Sequence, residues 1–138
     1  VLIGTQMIAK GLDLPLVTLV GAISCDVGLT LPDYRASERT FQVLTQVAGR
    51  SGRSHLGGRA VMQTYMPDHH AIIAAAAHDY DGFYKHEIEL RRHHNYPPFG
   101  KLVRLLGNNS NHVRVEADAQ SIADELRTRV RKYRASST

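Results

Sequence analysis

The 138-residue chain holds a single cysteine, Cys25. One thiol excludes an internal disulfide and any zinc site built from several cysteines, and it fits a reducing compartment. Cys25 itself reads as a small buried hydrophobe at a strand end. No apolar run approaches the ~20 residues that cross a bilayer. No charged leader with an apolar core and cleavage site opens the chain, so a cytoplasmic protein is expected. There is no HExxH pattern, and the adjacent pairs His69-His70 and His93-His94 would diverge by about 100° on a helix, so no metal site is expected. A GxxxxGK[ST] phosphate loop is missing, as is an acidic metal-binding motif after it. Alone, the chain is therefore expected to lack ATP hydrolysis. It begins at Val1 within the apolar segment Val1-Leu2-Ile3 rather than at Met, which reads as a piece of something longer.

Charge is present but unevenly placed. The formal net charge is +4, and fourteen of the seventeen lysines and arginines lie at or after Arg50. Such a bias favours polyanionic partners, nucleic acid above all. Apolar content, at 43%, is ordinary for a globular core, and the length allows one domain, or one domain with part of another.

Patterning predicts a strand at 1–3 stopped by Gly4-Thr5, a short helix over 6–10 ended by Gly11, and a loop fixed by Pro15. The β-branched, nearly all-apolar run 17–24 predicts a strand covered on both faces. Two strands joined by a helix make a parallel α/β unit, and such sheets bind ligands beyond the carboxyl ends of their strands, where Gly4-Thr5 and Cys25-Asp26 would lie. Asp33 is the predicted N-cap of a helix over 34–48 with Phe41, Leu44 and Ala48 as its apolar stripe. A turn over 54–58, a strand over 59–65, a helix over 71–78 begun by Pro67-Asp68, and a helix over 80–94 after a break near Asp81-Gly82 follow. Tyr96-Pro97-Pro98-Phe99-Gly100 is the best boundary candidate, since two prolines exclude both helix and central strand. Beyond it a strand over 101–106, a turn over 107–111 and a long helix over 113–133 are predicted, the helix carrying Ile122, Leu126, Val130 and Tyr133 on one face.

The stretch Gln46-Val47-Ala48-Gly49-Arg50-Ser51-Gly52-Arg53 organises the rest. If the helix continues through it, Gln46, Arg50 and Arg53 project together near its C-terminal end. Guanidinium forks stay protonated and fit phosphate oxygens two at a time, so this trio can hold a polyphosphate. It can equally be a solvated helix end, with two arginines answering the negative pole of the helix dipole.

Residues 4–20, GTQMIAKGLDLPLVTLV, resemble motif V of superfamily 2 helicases, and residues 46–53 resemble their motif VI. Between them, DYRASERT at 33–40 running into LTQVAGR at 44–50 is similar to the PriA family of replication-restart helicases, as is YPPF at 96–99 to the entry of that family's C-terminal domain. The likeness covers the chain to about residue 130.

It implies an α/β fold: part of the second RecA-like helicase domain over 1–79, a helical and proline-rich connection over 80–100, and the truncated start of a smaller α+β domain over 101–138. It implies an ATP-dependent 3′ to 5′ DNA helicase that restarts stalled forks through primosome assembly. Arg50 and Arg53 match the family's phosphate-facing arginines and Gln46 the leading glutamine of motif VI. Gly11 and Asp13 match the nucleotide-side end of motif V, and Thr5, Gln6 and Lys10 its DNA-facing part. The arginines would share a strand-end cleft with Thr5 and Asp13. ATP and Mg2+ would be held mainly by the other RecA-like domain, and the family's zinc-binding cysteines precede motif V, outside this chain. Forked or single-stranded DNA, primosome proteins and single-stranded DNA-binding protein are the implied partners. Each residue also has a plainer role: Thr5 as a helix cap, Asp13 as a loop cap, Lys10 at a helix end, and Arg127 to Arg134 as a solvated helix face. Two other functional classes stay open, a non-catalytic helicase-like module that binds DNA or primosome proteins, and an unrelated α/β nucleotide-binding enzyme.

Overall fold

A computed structural model describes residues 1–5, 17–51 and 57–136, and divides the chain into two compact units, 1–101 and 102–138. In the first, strand β1 (Leu19–Ala22) leads through a 3-10 turn at Val27–Thr30 to helix α1 (Ala36–Ser51), strand β2 (Arg59–Met62), helix α2 (His70–Ala77) and helix α3 (Tyr80–His93). The second contains helix α4 (His112–Ser136). The fold is α/β, as the patterning predicts.

β1 and β2 pair in parallel, with Leu19 opposite Arg59 and Ala22 opposite Met62. Side chains alternate across a strand, so Ala22 and Met62 share the face on which α1 and α2 pack. There Cys25, Phe41, Leu44, Ala71, Ile72, Ala74, Ala75 and Phe83 form one buried cluster. Phe41 and Phe83 stack with centroids 4.2 Å apart. The predicted stripe of α1 is the buried one, Phe41, Leu44 and Ala48. On the opposite face Leu19 and Val61 are exposed. Cys25 lies in the core as expected, and burial pushes its thiol pKa up.

Several predicted boundaries are corrected by particular bonds. Both strands are shorter than 17–24 and 59–65. Ser24 takes a left-handed backbone, φ 53°, which ends the β1 ladder, and past Met62 the chain turns to serve Asp26. The helix expected from 34 begins at Ala36, because Tyr34-Arg35 form a turn: the Asp33 carboxylate accepts from Arg35 N at 2.9 Å and its carbonyl from Ala36 N at 2.9 Å. It runs past Ala48 to Ser51. α2 is capped not by Pro67-Asp68 but by His69, whose Nδ1 accepts from Ala71 N at 3.2 Å. The break before α3 falls at His78, left-handed at φ 53°, and Asp79 caps α3 by accepting from Gly82 N at 2.8 Å.

Two predicted strands are not formed. Residues 1–3 are exposed and lie outside any ladder, and so do residues 101–106. A strand exists only where a neighbour takes its backbone groups, and among the described residues the sheet has two strands. The turn at 107–111 is closed by asparagines: Asn109 Oδ1 accepts from Asn111 N at 3.0 Å, and Asn111 Oδ1 from Arg114 N at 3.2 Å, which starts α4. The predicted helix 6–10, the loop at Pro15 and most of the turn 54–58 lie outside the described residues.

Candidate functional site

α1 fixes the geometry of the glutamine-arginine motif. Gln46 and Arg50 are four residues apart within it and therefore share one side of the helix. Gln46 is exposed and Arg50, in the last turn, is partly buried. The turn closes on Ser51, whose buried hydroxyl donates to Ala48 O at 2.9 Å. At Gly58, immediately before β2, an added Cβ would stand 1.7 Å from the Ser51 carbonyl oxygen. Only glycine lets the helix end come this close to the entry of the strand. Beside that junction an open pocket of about 670 Å3 is lined by Ala48, Gly49, Ser51, Gly58, Met62 and His78, among others.

Because β1 and β2 run parallel and α1 connects them, α1 returns antiparallel to both. Its C-terminal end, with Gln46 and Arg50, therefore lies at the rim where β2 begins. Cys25 and Asp26 lie at the other rim, where the strands end. The topology thus puts the helix end with Gln46 and Arg50 and the strand termini at Cys25-Asp26 on opposite rims; the cleft expected for the arginines with Thr5 and Asp13 includes residues outside the described ones. Asp13, just ahead of β1 in sequence, is outside the described residues, as are Gln6, Lys10, Gly11 and Arg53. Thr5 is described and exposed, in neither helix nor strand.

The carboxyl-end rim is closed by its own bonds. Asp26 Oδ1 accepts from Thr64 Oγ1 at 2.9 Å and from Tyr65 N at 3.1 Å, and Thr64 Oγ1 accepts from Met66 N at 2.9 Å. Gln63 Oε1 accepts from Ser24 N at 2.7 Å. The Tyr65 amide and then the Thr64 hydroxyl hold the Asp26 carboxyl below the ordinary aspartate value. This carboxylate is a strand-end fastener, with its donors already chosen.

A second cluster went unread in the sequence. Arg91 Nη2 reaches Glu38 on α1 at 2.8 Å, and Arg91 Nε reaches Glu87 at 3.0 Å. Glu87 in turn pairs with His70 of α2 at 3.3 Å, and Arg35 joins Glu38 at 3.2 Å. Burial alone would raise both carboxyls; for Glu87 the bonds from His70 and Arg91, and for Glu38 those from Arg91 and Arg35, outweigh it and leave both below the ordinary glutamate value. Glu87 four residues before Arg91 is a readable helical pair; the reach to α1 is not. Among the described residues no group of three or more His, Cys, Asp or Glu is placed to hold a metal ion. No helix among them is long and apolar enough to cross a membrane.

Fold and rim define a parallel α/β unit with a glutamine and an arginine side by side at the end of the helix that precedes its second strand. Comparison with known proteins says which one it is similar to. The chain is 46% identical over 127 residues to the replication restart protein PriA of Bacillus subtilis, covering 92% of this chain and 16% of that protein. It is 54% identical over 106 residues to PriA of Chlamydia trachomatis, 77% of this chain and 14% of that one. Against PriA of Synechocystis it is 48% identical over 122 residues, 88% of this chain and 15% of that protein. No family model matches. Over the segment it spans, the chain belongs to the PriA family.

Proposed function

We propose that this chain is part of a replication-restart DNA helicase, a 3′ to 5′ translocase driven by ATP hydrolysis, and that it supplies positive charge to the phosphates of a nucleotide bound mainly elsewhere. The supporting observation is the placement of Gln46 and Arg50 on one side of the last turn of α1, at the sheet rim where β2 begins. Arg53, three residues on, belongs to the same reading by its resemblance to motif VI. A guanidinium brought against a transferring phosphoryl group neutralises the charge that develops there, an effect worth orders of magnitude in rate. Arginines reaching ATP from a second domain also make the nucleotide a bridge; hydrolysis weakens it, the cleft opens and a bound strand moves by one step.

In this reading Asp13 and Gly11 lie on the nucleotide side, and Thr5, Gln6 and Lys10 on the DNA side, where the exposed Thr5 hydroxyl suits a backbone phosphate. ATP and Mg2+ are held mainly by the other RecA-like domain, outside this chain. The partners are forked or single-stranded DNA and the primosome proteins loaded onto it. The test is Arg50→Ala in a full-length PriA containing these residues. DNA-stimulated ATP hydrolysis is expected to fall by roughly a thousandfold while equilibrium ATP binding is largely kept. Normal turnover in that variant would overturn the reading and favour the non-catalytic module.

A further inference from the structure

The buried cluster around Arg91 joins two parts of the first unit that packing alone need not join. The Arg91 side chain is only 14% exposed, yet it holds Glu38 of α1 at 2.8 Å and Glu87 of its own helix at 3.0 Å. Its guanidinium carbon also lies 5.3 Å from the centroid of the Tyr34 ring, just ahead of α1. Tyr34 in turn meets Tyr96 at 6.0 Å, and Tyr96 N donates to the Arg91 carbonyl at 2.8 Å. Tyr96 O then accepts from Phe99 N at 2.9 Å and Gly100 N at 3.3 Å, while Arg92 lies 4.9 Å from the Phe99 ring centroid. The segment 96–100, through which the backbone leaves the first unit, is thus hydrogen-bonded to the end of α3 and linked to the N-terminal end of α1 through Arg91 and the Tyr34 ring. The other end of that helix carries Gln46 and Arg50.

Buried ion pairs are weak stabilisers, since well-packed apolar residues of similar volume do as well or better. What they supply is direction. An apolar contact lets a helix slide or roll, whereas a guanidinium bonded to two carboxylates on two helices fixes both translation and azimuth. From Glu38 to Arg50 is twelve residues of continuous helix, roughly 18 Å, stiff enough to carry a displacement from one end to the other.

We propose that Glu38 and Arg91, with Tyr34 and Tyr96, are positioning residues that couple the exit segment 96–100 to α1, so that a load on the chain beyond residue 101 changes the placement of Arg50. The proposal rests on the role of Arg50 given above. Glu38 and Arg91 touch neither nucleotide nor DNA; they act through the helix.

The experiment uses a full-length PriA containing these residues, with Glu38→Gln and Arg91→Met. Three readings are taken for each: ATP hydrolysis without DNA, hydrolysis at saturating single-stranded DNA, and the thermal unfolding midpoint. The DNA-free rate is expected to persist while the stimulation ratio falls by at least about fivefold, the scale of a modest coupling between sites. An unchanged ratio in folded variants overturns the proposal, as does a parallel fall of both rates with the folded fraction, which would mark a packing role only. Should Arg91→Met not fold, Glu38→Gln decides, because it keeps the side-chain volume while removing the charge and turning one of the two acceptor oxygens into a donor. Arg50→Ala run alongside separates the two ideas. If it retains turnover, the motor reading fails and the coupling with it; if it is inactive while Glu38→Gln is fully stimulated, only the coupling fails.

Discussion

At position 69 an imidazole does what serine or aspartate does at most helix starts. His69 Nδ1 accepts from Ala71 N at 3.2 Å, which requires that nitrogen to be unprotonated. Burial, reinforced by neighbouring His70, holds the ring below the ordinary histidine value. The sign follows: the folded state binds the proton less well than the unfolded one, so the cap contributes fully above the unfolded value and is lost as pH falls through the folded one. As pH falls from above the ordinary histidine value through the lower folded one, the amide exchange of Ala71, corrected for its intrinsic rate, is therefore expected to accelerate by the equivalent of about 1 kcal/mol. His69→Asn, whose side-chain carbonyl accepts at any pH, should flatten that dependence. The depressed carboxyls of Glu38 and Glu87 act in a separate window. Their contribution is present above the ordinary glutamate value and disappears only as pH drops below it. Nothing in the string of letters marks His69 as a cap, because Pro67-Asp68 is the stronger local signal. The pair Glu87 and Arg91 was legible from spacing; its connection to Glu38, fifty-three residues from Arg91, was not.

At the scale of elements, α1 was the most readable part of the chain. Phe41, Leu44 and Ala48 recur at helical spacing and are the buried apolar residues of α1, so periodicity located the helix and its inner face together. Its ends were less readable, since they depend on an Asp33 turn and on the approach of the β2 entry to Ser51. That approach gives a direct test. In Gly58→Ala the new methyl would meet the Ser51 carbonyl oxygen, only 1.7 Å from the ideal Cβ position. Backbone must move to admit it, and thermal or denaturant unfolding of the first unit should show a loss of about 1–3 kcal/mol. An unchanged unfolding midpoint would mean the junction yields freely. The strands were read too long for a related reason. Alternation and β-branching specify which residues suit a strand, but the ladder stops where Ser24 turns left-handed and Asp26 engages Thr64 and Tyr65.

At the scale of the whole molecule the two units differ in what supports them. In the first, a buried cluster drawn from the sheet side, α1, α2 and α3 surrounds Phe41 and Phe83. In the second, α4 runs 25 residues with Val113, Ile122, Leu126, Val130 and Tyr133 all exposed. In proteins most of a helix's stability comes from packing one face rather than from intrinsic propensity. Amides of α4 in this 138-residue chain are accordingly expected to exchange orders of magnitude faster than those of Phe41 and Leu44; matching protection would show that its stripe is covered.

The amino-acid sequence by itself determined the α/β class, the inner face of α1, the adjacency of Gln46 and Arg50, and the PriA resemblance. All of these are local: they depend on spacing within one helix or on the order of residues along a short motif. Tertiary structure alone decided that the helix end bearing Arg50 and the strand ends at Asp26 lie on opposite rims, and that Arg91 of α3 reaches Glu38 of α1. Both need the direction of a second element in space, which parallel pairing and helix packing supply and residue spacing along one element does not.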